Sequence, residues 1–558
     1  MSASDKKKLR KEQATELLTQ KQRQEQADAK KLKIQTTIFV AAMVLILAIV
    51  VTVLSVRAIT NSGIAEKTTI AATIGDEQMN SVVFNYYYND AINDFYNEQY
   101  ELYQDNMDSA LLSMGLDTKK PLNEQYQDAE QTKTWADYFI EVALDEAKRD
   151  YALSNDAKAN GFELSEEEQA TIDSTIANMT AWATAYGYTN NDQYMRAMFG
   201  NGSTVKNYRE YYERCQLADS YYDAHLADYS YTDEEIRAYE SEEDRAISYT
   251  SFSYDSVYLS YTNFYQGGTE NEDSTVTYSD EEKDAARAAM KVAAESVAAA
   301  ESHEDFSNRV EDLEVTDTSS VSVSHNNRSL YSSFAGANAD MTAWLTDESR
   351  VEGDMGLIPI TNTVTEGDQE IEQVNGYFVL RFEARYENTE PMGNVRHLLV
   401  KFEGGQEDEA TGETVYTDEE KAAAKEEADG YLKTWLDGEK TEDSFIALVQ
   451  EHSDDTSAEA GGLFEDINPD SSYVPNFLSW STDPNRQAGD AEVIETEYGY
   501  HVMYYVGDDE MTYRDYMIRN DMAAVDQYTW YENLLTAVTA TVGDTSKIDK
   551  DIILNSAS

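Results

Sequence analysis

Two histidines and an aspartate are the residues of this 558-residue chain that could do chemistry together. His397 and His501 each stand in a short strand-like run, and Asp455 lies between them in a Ser-Asp-Asp-Thr-Ser-Ala run before a glycine pair at 461–462. Histidine can exchange a proton near neutral pH, and aspartate offers a negatively charged acceptor. Taken singly, each histidine is typical of a satisfied core residue and Asp455 of a turn residue, so the three are informative only as a set.

Motifs for other catalytic classes are missing from the sequence. It contains no glycine-rich phosphate loop, no Cys/His metal spacing, no H-E-x-x-H and no G-x-S-x-G. The single cysteine, Cys215, lies in an aromatic stretch and is typical of a core residue. We therefore expect no cofactor and no metal at the candidate site. The acidic runs at 407–409 and 508–510 lack the calcium-loop register and leave only weak binding of divalent cations open.

The segment 395–506 resembles the parvulin-type peptidyl-prolyl isomerases over about 112 residues, or 20% of the chain. In that family two facing histidines form a hydrogen-bonded core beneath a proline pocket, and His397 and His501 match those positions. Asp455 matches the polar side chain that stands beside the amide. The resemblance also implies substrate-binding residues, namely a wall around the proline ring and a hydroxyl in the histidine network: Leu463, Tyr473, Phe477 and Thr496.

Two departures from the family pattern concern the wall and not the histidines. The common sequence Gly-Gly-Asp-Leu-Gly is here Gly-Gly-Leu-Phe at 461–464, one residue short. Tyr473 stands where methionine is usual. Rotation about an X–Pro bond faces a barrier of about 18–20 kcal/mol. It needs an apolar pocket that prefers the twisted amide and needs no nucleophile, so we expect no covalent catalysis by Asp455.

The family topology supplies the elements that position these residues. It implies a strand at 395–402, helices at 418–437 and 442–452, a short helix near 475–481, and strands at 491–496 and 499–506. Alternating Leu, Val and Phe in the predicted strands and Ala/Leu periodicity in the predicted helices fit this order independently.

An internal repeat relates residues 246–386, the first repeat, to residues 395–508, the second repeat. Three pairs of motifs match: Tyr-Ser-Asp-Glu-Glu-Lys at 278–283 with Tyr-Thr-Asp-Glu-Glu-Lys at 416–421, Trp-x-Thr-Asp-x-x-Arg-x-x-Gly-Asp at 344–354 and 480–490, and Gly-Tyr-Phe-Val at 376–379 with Gly-Tyr-His-Val at 499–502. We predict one fold used twice.

The first repeat lacks the histidines of the second. Phe378 replaces His501, and the strand expected at 246–254, equivalent to that of His397, contains no histidine. His303 and His325 fall at other positions and are expected to be surface residues. The first repeat is therefore predicted to be an inactive, degenerate domain, which can still bind peptide or space other domains.

Composition indicates a folded, acidic protein. The net charge of −64 is extreme, yet 41% hydrophobic and 11% aromatic residues are too many for a disordered chain. The electrostatic field of such a negatively charged protein repels nucleic acid and favours basic or divalent partners. We expect three or four domains and no nucleic-acid binding.

The charge is distributed unevenly along the chain. Residues 1–33 hold ten Lys/Arg against five Asp/Glu, a net of +5, so the remainder carries −69. The uncharged stretch 36–56 has 21 residues, which suits the roughly 20 that a helix needs to cross a bilayer. A basic flank stays in the cytoplasm, so we predict a single-pass cell-membrane protein with an extracytoplasmic bulk. A cleaved signal peptide is the rival interpretation, but the run is long and no clear A-x-A site follows.

Helical patterns continue from about residue 80 to 240 after a strand predicted at 69–74. Tyrosines such as Tyr208 and Tyr211 recur at helical spacing, which is typical of a core; the alternative is an apolar cleft for unfolded polypeptide. A helix within 511–545 cannot bury its apolar face alone. The arrangement resembles membrane-anchored extracytoplasmic foldases of the PrsA and SurA type, which implies that this helix packs on the helical domain.

The sequence thus predicts an α+β multidomain protein with an N-terminal transmembrane helix, a mostly α-helical chaperone domain and two tandem parvulin-like domains. The predicted segments are a cytoplasmic tail (1–33), the anchor (34–57), a tether (58–68), the helical domain (69–243), the degenerate domain (244–388), the isomerase domain (393–508) and the C-terminal helix (511–545). The predicted function is a peptidyl-prolyl isomerase and chaperone whose partners are unfolded or nascent exported polypeptides with X–Pro bonds. The alternative is a non-catalytic holdase or cell-envelope scaffold.

Overall fold

The computed structural model describes residues 3–242, 245–271, 275–316, 320–366, 369–407 and 414–550. The chain divides into two compact units, a helical unit of Met1–Tyr229 with Asp526–Ser558 and a second unit of Ser230–Val525. The helices in the described residues are α1 (Ala3–Asn61), α2 (Ile64–Thr68), α3 (Ser81–Tyr103), α4 (Met107–Ser113), α5 (Trp135–Ala159), α6 (Glu166–Ala185), α7 (Asn191–Phe199), α8 (Val205–Ala227), α9 (Asp233–Glu240), α10 (Asp280–Val297), α11 (His303–Glu311), α12 (Tyr331–Phe334), α13 (Ala339–Thr346), α14 (Asp418–Asp437), α15 (Glu442–His452), α16 (Pro475–Ser481) and α17 (Tyr513–Ala537).

The strands complete the element order. They are β1 (Ile70–Ile74), β2 (Glu77–Asn80), β3 (Ser251–Ser260), β4 (Thr269–Glu270), β5 (Val276–Thr277), β6 (Ser324–Leu330), β7 (Met355–Glu366), β8 (Gln369–Tyr386), β9 (Pro391–Lys401), β10 (Gln406–Glu407), β11 (Thr414–Val415), β12 (Leu463–Ile467), β13 (Ala491–Glu495), β14 (Gly499–Thr512) and β15 (Ala540–Val542). The protein is therefore a mixed α/β chain, as the sequence predicts.

Helix α1 contains an apolar stretch, Lys30–Asn61, that is long enough to cross a membrane. None of the apolar window within that stretch is buried against the rest of the protein. By length and composition this is a candidate membrane span near the N terminus, the place where a signal sequence would also lie.

The helical unit has a core rich in aromatic side chains. Tyr86, Tyr87 and Tyr88 of α3 are buried, and Tyr211 of α8 meets Tyr87 edge-to-face with ring centroids 4.7 Å apart. The prediction that Tyr211 belongs to a helix core is therefore confirmed. Cys215 packs against the same cluster, and burial raises the pKa of its thiol.

The C-terminal residues pack within the helical unit. Strand β15 pairs with β1 in a small sheet that also contains β2. Trp530 of α17 stacks on His225 of α8 with ring centroids 3.7 Å apart, and Tyr531 and Leu534 pack in the same apolar cluster. The apolar face of this part of α17 is thus covered by α8.

The second unit contains two four-stranded antiparallel sheets with equivalent strand orders. The first is β6-β3-β8-β7 and the second is β12-β9-β14-β13. Helices α10 and α11 pack against one face of the first sheet, and α14 and α15 pack against the corresponding face of the second. The opposite faces hold smaller apolar clusters that include α13 and α16, respectively.

Motif residues of the two repeats make the same contacts. Arg350 lies over the ring of Trp344, with Cζ 4.5 Å from the ring centroid. Arg486 lies over Trp480 at 4.2 Å. In each case the Nε of the arginine also donates to the backbone carbonyl of the tryptophan. Identical spacing in the sequence therefore corresponds to the same pair of arginine–tryptophan contacts in each repeat.

The strand equivalent to that of His397 is β3, and the prediction of a strand at 246–254 was wrong in its bounds. Residues Ala246–Tyr249 form a 3-10 turn, and the strand begins at Ser251. Phe378 lies opposite Tyr258 in the first sheet, as His501 lies opposite Leu399 in the second. Counting along the strands from this pair places Ser256 at the position of His397. Neither position in the first repeat holds a histidine.

A buried arginine fixes the segment between the repeats. Arg514, at the start of α17, is 6% exposed and donates to the backbone carbonyls of Ala246, Tyr249 and Glu387. The side-chain amide of Asn388 donates to the same carbonyl of Tyr249 at 3.0 Å. These hydrogen bonds join the ends of the first repeat to the segment that follows the second, and we call them the Arg514 junction.

Candidate active site

The two predicted histidines meet in the centre of the second sheet. His397 on β9 lies opposite Met503, and His501 on β14 lies opposite Leu399, so the histidines are diagonal neighbours on adjacent antiparallel strands. Their Nδ1 atoms are 2.9 Å apart, and the rings are nearly parallel, with an angle of 23° between their planes. The residues are only 3% and 5% exposed. This is a direct hydrogen bond between two buried imidazoles.

A chain of hydrogen bonds extends from the histidine pair in both directions. Thr496 Oγ1 lies 2.9 Å from His501 Nε2, and Tyr498 donates its backbone N–H to the same hydroxyl oxygen. At the other end, His397 Nε2 lies 3.4 Å from Ser457 Oγ. One arrangement satisfies this chain when both rings are neutral. Thr496 donates to His501, His501 donates to His397, and His397 donates toward Ser457.

Asp455 stands at the outer end of this chain. Its Oδ1 lies 3.6 Å from His397 Nε2 and accepts hydrogen bonds from the backbone N–H and the hydroxyl of Ser457, at 2.8 and 2.6 Å. Asp455 thereby caps the short 3-10 helix Thr456–Ala460. Its side chain is 26% exposed, so the carboxylate borders both the buried network and solvent.

Burial and hydrogen bonding shift the pKa values of His501 and Asp455 in this site. Burial, together with the neighbouring His397, lowers the pKa of His501 to about 3, so His501 is neutral at physiological pH. The nearby His397 side chain, followed by the hydrogen bonds from Ser457, holds the pKa of Asp455 well below its ordinary value. A neutral His501 is therefore buried in the site, and an ionised Asp455 stands at its edge.

Aromatic side chains cover the histidines. Phe477 of α16 lies edge-on to both rings, with centroids 5.5 Å from His397 and 5.8 Å from His501. Tyr473 packs against Phe477 at 5.2 Å. The two aromatic rings thus lie over and beside the histidine pair and offer an apolar surface of the kind that a proline ring needs.

Phe464, and not Leu463, completes this aromatic wall. Phe464 lies opposite Val395 in the sheet and places its ring 5.0 Å from His397. Leu463 lies opposite Arg396, and successive side chains of a strand point to opposite faces. Leu463 therefore lies on the face of the sheet away from the histidine pair, and Phe464 lies on the face that holds it.

Ser457 was not identified from the sequence as a site residue. It contacts both His397 and Asp455 and thus connects the two predicted groups. A signal was present, since a serine two residues after an aspartate is a common turn arrangement in which the carboxylate accepts its hydrogen bonds.

Comparison with known proteins agrees with this geometry. Residues 397–507 match the family model of the PPIC-type PPIASE domain, Rotamase. Similar solved structures include the PPIase domain of TbPar42 at 22% identity, covering 20% of this chain and 98% of that one, with a TM-score of 0.17. PrsA from Bacillus anthracis is 20% identical, with 27% of this chain covered and a TM-score of 0.16. The match spans 59% of the B. anthracis chain, less than two thirds of its length.

PrsA from Bacillus subtilis is also similar, at 10% identity over 74% of this chain and 90% of that one, with a TM-score of 0.24. No curated protein matches the sequence. The family match and the paired histidines define residues 397–507 as a parvulin-type domain. These residues accordingly form a peptidyl-prolyl cis-trans isomerase domain.

Proposed function

We propose that this protein is a membrane-anchored, extracytoplasmic peptidyl-prolyl isomerase and chaperone that assists the folding of exported proteins. The observation that carries the proposal is the 2.9 Å hydrogen bond between His397 and His501 beneath the Phe464, Tyr473 and Phe477 wall. The apolar part of α1, with its basic N-terminal flank, supports the anchor and the orientation.

The site acts on the amide without a covalent step. In a planar X–Pro amide, resonance places partial negative charge on the carbonyl oxygen, and that charge is lost when the bond twists. An apolar wall that strips water from the amide removes the solvent stabilisation of the polarised planar form. The ionised carboxylate of Asp455 further disfavours that form in any pose that places the carbonyl oxygen beside it. Both effects favour the twisted state relative to either planar state.

An isomerisation assay tests the catalytic part of the proposal. The full chain should accelerate cis/trans exchange in a set of X–Pro peptides, and His397→Ala, Asp455→Ala and His501→Ala should each reduce the acceleration. Circular dichroism of each variant establishes that it remains folded. No acceleration with any peptide would leave the protein a scaffold with a parvulin fold.

A second activity, the holding of unfolded chains, is favoured by a groove in the helical unit. The groove has a volume of about 600 Å³. Apolar side chains, among them Leu164 and Leu217, line it together with charged side chains of both signs, among them Arg209, Glu210 and Glu213. It could bind an extended apolar segment, the class of partner expected for a chaperone. In this scheme the first repeat is a parvulin-like domain without the histidine pair.

Suppression of client aggregation tests the groove separately from the isomerase. Leu164→Glu places a charge in the groove and should reduce suppression while leaving X–Pro exchange unchanged. Leu226→Glu, at a residue that is 44% exposed and outside the groove, is the matched control and should have no effect. Equal suppression by both variants would show that the groove does not hold clients.

A further inference from the structure

Two histidines of the first repeat converge on one buried carboxylate. His303 Nδ1 lies 2.8 Å from Asp255 Oδ2, and His325 Nδ1 lies 2.7 Å from Asp255 Oδ1. The Asp255 side chain is only 2% exposed, whereas the histidine side chains are 53% and 51% exposed. Two of the six histidines in the chain therefore contact this one carboxylate. The expectation that they are simply surface residues was therefore incomplete.

Regular structure brings these residues together. Asp255 on β3 lies directly opposite His325 on β6, which places both side chains on the same face of the sheet. His303 is the first residue of α11, and Ser302 caps that helix by accepting a hydrogen bond from the backbone N–H of Asp305. The three groups are thus fixed by a strand pair and a capped helix.

The three equivalent positions in the second repeat have different side chains. Arg396 corresponds to Asp255, and its strand partner Leu463 corresponds to His325. Glu442, the first residue of α15, corresponds to His303 and forms a 2.7 Å salt bridge with Arg396. An ordinary ion pair therefore suffices to join helix and sheet there. The first repeat has instead a carboxylate with two imidazoles, a set of groups that can bind metal.

We propose that Asp255, His303 and His325 bind a divalent transition-metal ion of the zinc class. The bound ion links α11 to the sheet of the first repeat. The candidate ligand atoms all lie within 4.8 Å of one another. Two imidazole nitrogens and one carboxylate oxygen are typical zinc ligands, whereas calcium and magnesium prefer oxygen alone. The net charge of −64 adds a long-range attraction for cations.

The geometry needs only a small adjustment to admit the ion. With bonds of about 2.1 Å, a tetrahedral ion separates its ligands by about 3.4 Å, so the contacts of 2.7 and 2.8 Å must open by roughly 0.6 Å. The half-exposed imidazoles can make this movement.

Two further charged groups border the site. Glu383 Oε1 lies 3.4 Å from His303 Nδ1 and is a candidate fourth ligand. Arg381 pairs with Glu383 at 2.7 Å and stays 3.9 Å from Asp255. The guanidinium thus neutralises Glu383 more than Asp255, and the buried carboxylate remains available to a cation.

Zinc titration of the full chain tests this proposal. After treatment with a chelator and its removal, the protein should take up one equivalent of Zn²⁺ in competition with a chromogenic chelator, and the midpoint of thermal unfolding should rise. His303→Gln and His325→Gln should each weaken binding by at least about tenfold and abolish the rise. Both histidines are half-exposed, and glutamine keeps a polar side chain beside the buried Asp255.

Controls separate this site from the other histidines. His452→Gln, which changes a histidine with a carboxylate 3.8 Å away, should bind Zn²⁺ as the parent does. X–Pro exchange by His303→Gln should equal that of the parent, which shows that the second repeat is folded. Equal Zn²⁺ affinity in the parent and in a His303→Gln/His325→Gln variant would overturn the proposal, as would the absence of Zn²⁺ binding.

Discussion

The two repeats of the second unit place different side chains on the same framework. Each has a four-stranded sheet of equivalent order, a capped helix after a Tyr-x-Asp-Glu-Glu-Lys motif and an arginine over a tryptophan. Each also has an apolar cluster on the face opposite the longer helices. The second repeat adds His397 and His501 to that face, whereas the first has Ser256 and Phe378 there.

This difference separates what the fold requires from what the reaction requires. The apolar cluster and the motif contacts persist in both repeats, so they belong to the fold. The imidazole pair occurs in only one repeat, so the framework forms without it. The opposite face shows the reverse exchange, since Asp255, His303 and His325 of the first repeat stand where the second has a salt bridge and a leucine.

The largest effect on isomerase activity should come from giving the second repeat the phenylalanine that the first repeat has at the position of His501. In His501→Phe, the Nδ1 of His397 loses its buried partner, which costs about 1–3 kcal/mol. If the same cost raises the free energy of the twisted transition state, kcat/KM for X–Pro exchange falls about tenfold to a hundredfold. The first repeat accommodates phenylalanine at this position, so the variant should fold, which a thermal melt can check.

The reciprocal variant, Phe378→His, is the matched control. Its neighbour at the position of His397 is Ser256, so no imidazole pair can form, and activity should equal that of the parent. Unchanged exchange by His501→Phe would show that the histidine pair is structural rather than catalytic.

A smaller effect is expected from removing the charge at the edge of the site. Asp455→Asn keeps an oxygen that can accept from the backbone N–H of Ser457, so the short 3-10 helix persists. Loss of a charged hydrogen-bond partner costs about 1.5–3 kcal/mol, and partial exposure places the effect near the lower value, or about tenfold in kcat/KM.

Asp455→Ala separates the two roles of this residue. It removes the cap as well as the charge and should further lower the free energy of unfolding by about 0.5–2 kcal/mol in urea titrations. If Asp455→Asn is as active as the parent, the carboxylate takes no part in the reaction.

Lowering the pH should reduce the stability of the second repeat, because His501 binds a proton in the unfolded chain and not in the folded one. Its pKa is about 3 in the folded protein and 6.5 in an ordinary environment, so between these values the unfolded chain binds the proton and the folded chain does not. Stability from this group is complete above pH 6.5 and declines as the pH falls toward 3. By pH 5.5 the loss is about 1.4 kcal/mol.

The measurement compares urea unfolding of the parent with that of His501→Gln at pH 8 and pH 5.5. The variant should lose less stability than the parent over this interval. An equal loss would mean that the imidazole is not held neutral by burial.

The smallest expected effect is on stability, and it concerns the arginine–tryptophan contact that both repeats share. Arg350→Met and Arg486→Met each remove a guanidinium from a tryptophan face and should each lower the free energy of unfolding by about 1 kcal/mol. Denaturant titration should give equal values within about 0.5 kcal/mol, because the distances and exposures of the two pairs are alike. Clearly unequal values would argue that the matched motifs have diverged in energy.

Much of the site was predictable because its residues lie within linked motifs. His397, Asp455 and His501 each sit beside a recognisable run, and their meeting follows from two adjacent strands. The place of Leu463 was harder to predict, because a shift of one residue turns a strand side chain to the other face. The group around Asp255 has no local signature, since its three members are separated by 48 and 22 positions and are joined only by strand pairing and a helix start.

The Arg514 junction bears on the order in which the chain reaches its final form. Its hydrogen bonds connect residues that are 127 to 268 positions apart. Contacts over such distances form late, because closing a long loop must precede them. In a chain delivered N terminus first, the carbonyls of Ala246 and Tyr249 have no Arg514 donor until the whole second repeat has followed them. A copy truncated before Arg514 would leave these carbonyls without that donor.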